Sequence, residues 1–115
     1  MGTAVEDQQL DALFTALSDR TRRGIVARLS AGEATVKELA EPYAMSMQAV
    51  SQHIRVLERS GLISQGRHRQ TRPCRLEPAA LEAALSWIEE SRRTWSERMD
   101  RLETHLARVQ EREDR

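Results

Sequence analysis

The sequence predicts a mainly α-helical chain of about five helices, with one small β-hairpin and a long last helix. Three observations predict it. Apolar residues recur at helical spacing in successive segments, with cap-forming Ser, Thr, Asp and Gly between them. Two short extended stretches flank a polar, glycine-containing tip between residues 62 and 76. The last third carries an apolar heptad pattern.

The first stripe is Leu10, Leu13, Phe14 and Leu17. Ser18 then offers an N-cap oxygen, and Asp19 suits a first turn. A second helix points Ile25, Val26 and Leu29 inward and ends at Ser30-Ala31-Gly32. Thr35-Val36-Lys37-Glu38 matches a capping box, in which a Thr and a Glu three residues on satisfy each other's backbone donors. This short helix runs to about Glu41, because Pro42 cannot continue it comfortably. After a turn, Ser46 caps a fourth helix whose inward residues are Met47, Val50, Ile54 and Leu57, and Ser60-Gly61 stops it. The hairpin follows, with Pro73 placing its second strand at a sheet edge. Glu77-Pro78 opens the last helix, with proline at the first helical position. Its stripe is Leu81, Leu85, Ile88, Trp95, Met99, Leu102, Leu106 and Val109, with Arg92 in the skipped slot. That stripe is longer than one small domain needs to cover, so part of it should meet a partner helix.

The chain has 115 residues, a length suited to one domain spanning 1–115. No run of 18 apolar residues exists, so no membrane span is expected. The polar, acidic first residues lack a hydrophobic signal core, which points to the cytoplasm. A single cysteine, Cys74, excludes an internal disulfide and a multi-cysteine zinc site. A core this small favours oligomerisation. The 18 Lys and Arg balance 18 Asp and Glu, yet residues 1–19 sum to −4, 20–75 to +7 and 76–115 to −3. A basic middle between acidic ends is a candidate footprint for a polyanion.

Two helices joined by a tight turn (35–60), followed by a basic hairpin (62–76), make a winged helix-turn-helix. Its second helix fits the roughly 12 Å major groove of B-DNA. On the helical wheel, Gln48, Gln52, Arg55 and Arg59 lie opposite the apolar stripe, flanked by Ala49 and Ser51. Gln can pair with adenine, Arg with guanine and Ser with several groups. Small Ala49 permits close approach, and Ser46 stands where a helix N-terminus can face a phosphate. His53 lies at the edge of the stripe, placed to donate to a phosphate or to pack between helix and wing. Arg67, His68 and Arg69 crowd the hairpin tip, with Arg72 just beyond, and suit phosphates or a narrow minor groove.

At these residues the chain resembles the ArsR family of bacterial winged-helix transcriptional repressors. The likeness runs from about residue 10 to residue 106. It rests on Ala16-Leu17-Ser18-Asp19-Arg20-Thr21-Arg22-Arg23, Val36-Lys37-Glu38-Leu39-Ala40-Glu41-Pro42, Met45-Ser46-Met47-Gln48-Ala49-Val50-Ser51-Gln52-His53-Ile54 and Leu57-Glu58-Arg59-Ser60-Gly61-Leu62-Ile63. The family commonly has proline where this chain has Arg20. The resemblance implies a homodimer that binds double-stranded operator DNA, with contacts from Ser46, Gln48, Ser51, Gln52, His53 and the wing arginines. It also implies dimerisation through the first and last helices (near 7–17 and 78–109). On the stripes found above, the interface residues would be Leu10, Leu13, Phe14 and Leu17 with Leu85, Ile88, Trp95, Met99, Leu102 and Leu106.

Metal-sensing members carry Cys-x-Cys where this chain has Thr35 and Lys37, and His105 stands without a second ligand three residues away. The resemblance is therefore to the metal-less branch, with no cofactor expected. Cys74 suits a strand position better than a sensor. The sequence identifies no small-molecule inducer. An alternative is a winged-helix protein-interaction module that has lost DNA binding. An enzyme is not expected: there is no nucleophile beside a base, no phosphate-cradling glycine loop and no paired carboxylates in a likely pocket.

Overall fold

A computed structural model describes residues 4–66 and 72–114. They divide into two compact units, Met1–Ala84 and Leu85–Arg115. The chain order is α1 (Ala4–Leu17), α2 (Arg20–Leu29), α3 (Val36–Ala40), α4 (Met47–Ser60), β1 (Ile63–Gln65), β2 (Cys74–Leu76) and α5 (Pro78–Glu113). Residues 78–84 of α5 belong to the first unit, and the rest of the helix is the second. Among the described residues, no helix is long and apolar enough to cross a membrane.

The junction between α1 and α2 shows why its residues are polar. Asp19, not Ser18, is the N-cap of α2: its Oδ2 accepts the Arg22 backbone N–H at 3.1 Å. That bond holds the Asp19 carboxyl below its usual pKa. Ser18 instead closes α1, its hydroxyl donating to the Thr15 carbonyl at 2.6 Å. Two arginines of α2 complete that end. Arg22 donates to the carbonyls of Ala16 (2.7 Å) and Thr15 (3.1 Å), and Arg23 to that of Leu17 (2.8 Å). α1 has no basic residue in its own last turn, so these guanidiniums supply the positive charge its C-terminal carbonyls favour.

The expected capping box is present. Glu38 N–H donates to Thr35 Oγ1 at 3.2 Å, and Thr35 N–H donates to Glu38 Oε1 at 3.1 Å. α4 is capped by Ser46, whose Oγ accepts the Ala49 N–H at 3.1 Å. It ends at Gly61, where a φ of 86° requires the left-handed conformation that glycine adopts without strain.

The core of the first unit gathers Leu13 and Ala16 of α1, Ile25 and Leu29 of α2, Leu39 of α3, and Val50, Ile54 and Leu57 of α4. Leu62, Ile63 and Cys74 close it from the hairpin. Two expectations change here. Leu13 is fully buried in this core, so its side chain is not available to a partner; Leu10 and Leu17 are half-buried against the same core, and Phe14 is exposed. Met47 leaves the stripe it was assigned to and is 51% exposed, because it sits at the rim of the buried face beside Ser51.

β1 and β2 pair antiparallel, with Ile63 opposite Leu76 and Gln65 opposite Cys74. β2 is an edge strand of this two-stranded sheet, as Pro73 suggested, with one isolated bridge beyond it. On its other side Cys74 N–H donates to the Ala34 carbonyl at 2.7 Å, and Ala34 N–H returns the bond at 3.2 Å. Glu77 joins the hairpin to α5: its N–H donates to the Leu62 carbonyl at 2.8 Å, and Ser64 donates to its carboxylate at 2.5 Å.

Burial pushes the Cys74 thiol up from 9.0 to about 11, with the negative charge of Glu58 adding to the effect. A buried, protonated thiol is a poor nucleophile, so iodoacetamide at pH 8 should label Cys74 only after denaturation. The raised pKa also gives a sign for stability. Between 9.0 and about 11 the folded chain keeps a proton that the unfolded chain releases. The contribution is therefore complete below the lower value. It falls by up to about 1.4 kcal/mol per pH unit on the way to the upper one. Urea melts at pH 8 and pH 10.5, compared with those of Cys74→Ala, measure it.

In the second unit every described residue is exposed. Core burial along α5 stops at Ala80 and Ala84, with Leu81 packed alongside. Leu85, Ile88, Trp95, Met99, Leu102, Leu106 and Val109 are all exposed, Trp95 at 63%. Arg92, in the skipped slot, is paired along the helix with Glu89 through its Nε at 3.1 Å and through Nη2.

Candidate nucleic-acid interface

The site is built on α4. Its buried residues Val50, Ile54, Leu57 and Ser60 anchor one face in the core. The opposite face then presents Gln48, Gln52, Arg55 and Arg59, all exposed, with Ala49 and Ser51 half-buried at its flanks. Arg55 Nη1 donates to Gln52 Oε1 at 3.2 Å. A carbonyl oxygen has two lone pairs, so Gln52 keeps one acceptor position and both amide donors for an adenine edge. Four side chains able to read bases are thus held on one rigid helix.

Ser46 stands at the helix start, its lone pair engaged by Ala49 while its hydroxyl proton stays able to donate. His53 is half-buried, and its partners among the described residues are Arg22 of α2 and Asp19 at the N-cap of that helix. Nδ1 lies 3.2 Å from Arg22 Nη1 and 3.9 Å from Asp19 Oδ2. A guanidinium can only donate, so the contact with Arg22 needs Nδ1 as its acceptor. Arg22 therefore joins two tasks: it closes α1, and it ties α2 to a histidine on α4. The sequence offered no sign of that contact, since the two residues are 31 positions apart.

Arg72 is exposed where the chain returns toward β2. Arg67, His68 and Arg69, expected at the wing tip, lie outside the described residues.

Thr35 and Lys37, where the resemblance would place metal ligands, are engaged otherwise. Thr35 Oγ1 is committed to Glu38, which it meets at 3.0 Å, and Lys37 is an exposed cation. Among the described residues, no group of three or more His, Cys, Asp or Glu converges on one point.

A family model described as a helix-turn-helix domain matches residues 17–65, the span from the end of α1 through β1. An HTH-type transcriptional regulator of Mycobacterium tuberculosis is 41% identical over 73 residues, covering 64% of this chain and 68% of that protein. The transcriptional repressor SdpR of Bacillus subtilis is 30% identical over 79 residues, covering 69% of this chain and 88% of its own. The crystal structure of an ArsR family transcriptional regulator superposes with a TM-score of 0.73 at 40% identity, covering 76% of this chain and 97% of the other. Fold, motif order and relatives agree: this chain belongs to the ArsR family of winged helix-turn-helix transcriptional regulators.

Proposed function

We propose that this chain is a sequence-specific repressor of transcription. It binds an inverted-repeat operator as a homodimer and does so without a metal at the α3 positions. The observation that carries the reading is the exposed Gln48, Gln52, Arg55 and Arg59 face of α4, held rigid by its fully buried opposite side. Hydrogen-bonding side chains of these types match base edges in the major groove. A relative named as a transcriptional repressor supports the sign of regulation. The exposed apolar residues at heptad spacing on α5 support pairing with a second copy.

Footprinting on DNA upstream of its own gene tests the reading. Two protected half-sites should appear, about one helical turn or roughly 34–36 Å apart. Affinity should fall steeply with salt, as arginines displace counterions from phosphates. Equal affinity for scrambled and promoter DNA would end the proposal. Gln52→Ala should cost about 1–3 kcal/mol on the specific site and relax base preference at one position. Arg72→Ala should weaken all sequences alike and lower the salt slope by about 1. Fluorescence anisotropy on specific and scrambled duplexes separates the two outcomes.

A further inference from the structure

We propose that Met47 is a specificity-determining residue that reads the C5-methyl group of a thymine in the operator. This rests on the DNA-binding reading above and names one base feature it has not assigned.

The argument begins with a misfit in the packing. Val50, Ile54 and Leu57 of the α4 stripe are fully buried, at 0–1% exposure, while Met47 is 51% exposed. The core does not use it. Its place on the helix puts it with the candidate base-reading residues instead. Met47, Ser51 and Arg55 follow one another at intervals of four, so they form one row along the helix surface. Gln48 and Gln52 form the adjacent row. Met47 is the first residue of α4, directly after the Ser46 cap. The N-terminal residues of a recognition helix are the ones that reach base edges.

The chemistry then identifies the target. Every major-groove edge of a base pair carries donors and acceptors, and the thymine methyl is the apolar group among them. A large apolar side chain on a face of Gln, Ser and Arg has that methyl as its complementary partner. Methionine suits the task, since its unbranched thioether adapts to an irregular surface.

The test is a thymine-to-uracil scan of the footprinted operator, which removes one methyl at a time and leaves every hydrogen-bonding group in place. At one thymine in each half-site the wild-type protein should bind about fourfold more weakly to the uracil duplex, the worth of one buried methyl-sized group. Met47→Ala should bind the thymine and uracil duplexes equally at that position, and Met47→Leu should keep the preference for thymine. Because Met47 is exposed, circular dichroism melts of both variants should match the wild type. Indifference of the wild type to uracil at every thymine overturns the proposal while leaving specific DNA binding standing. A uracil effect that persists in Met47→Ala also overturns it. Absence of specific binding to the all-thymine duplex removes the DNA-binding reading itself, and this proposal with it.

Discussion

Replacing Leu102 and Leu106 together with glutamate is expected to convert the protein to a monomer and to weaken operator binding more than a thousandfold. Both leucines are exposed in the single chain, at 48% and 56%, and both lie on the stripe that runs through Trp95, Met99 and Val109. Spacings of four and three place these residues along one seam, as pairing with a second helix requires. Two carboxylates in that seam would each have to shed water without an assigned counter-charge, at several kcal/mol apiece. Since about 1.4 kcal/mol is a factor of ten, the dimer should be lost at any ordinary concentration. Operator affinity should fall with it. Two linked DNA-binding units gain effective concentration at the second half-site, and a monomer forfeits that gain. Sedimentation velocity reads the oligomeric state and anisotropy reads the DNA. Arg101→Glu, off the seam, is the control and should leave both unchanged. A double variant that remains dimeric would show that the exposed stripe of α5 is not the homodimer contact.

Ile54→Ala carries the second large effect, a loss of about 2–5 kcal/mol of stability with reduced DNA binding. Ile54 is 1% exposed, in the middle of the helix that presents the candidate base-reading face. Its side chain joins α4 to the residues that α1, α2 and α3 contribute to the core. Truncation removes buried apolar surface and leaves a cavity that neighbours fill only in part. A small domain is stable by only about 5–15 kcal/mol, so the loss is a large share of the total. Urea denaturation should show a lower midpoint with an unchanged slope. Gln52→Ala, on the exposed face of the same helix, should stay within about 0.5 kcal/mol of wild type in that assay. The pair separates residues that hold α4 in place from residues proposed to use it. A cost below about 1 kcal/mol for Ile54→Ala would mean that the site collapses without a cavity and that the helix is held elsewhere.

Much of this molecule is written in local signals. The Thr35–Glu38 capping box, the Ser46 cap, the Gly61 stop and the 4-3 spacing of Val50, Ile54 and Leu57 each depend on residues within a turn or two of one another. Local chemistry of that kind is decided before the chain folds back on itself, so the recognition helix and its outward face are legible in sequence order. The same holds for Pro78 at the first position of α5 and for the apolar heptads beyond it.

Tertiary structure decided what adjacency could not. Ser18 and Asp19 are both good caps; Asp19 caps α2 while Ser18 turns back to the Thr15 carbonyl at the end of α1. Leu13 and Phe14 lie on one stripe, yet the packed core buries the first and leaves the second exposed. Met47 shares the periodicity of the core but falls at its rim. Ala34 pairs with Cys74 across 40 residues, and Arg22 meets His53 across 31, through contacts that exist only once α2, α4 and the hairpin are packed. Periodicity determines which face of a helix is apolar; the width of the surface packed against it determines how much of that face is buried. The remainder, including the Met47 side chain, is what is left to meet a partner.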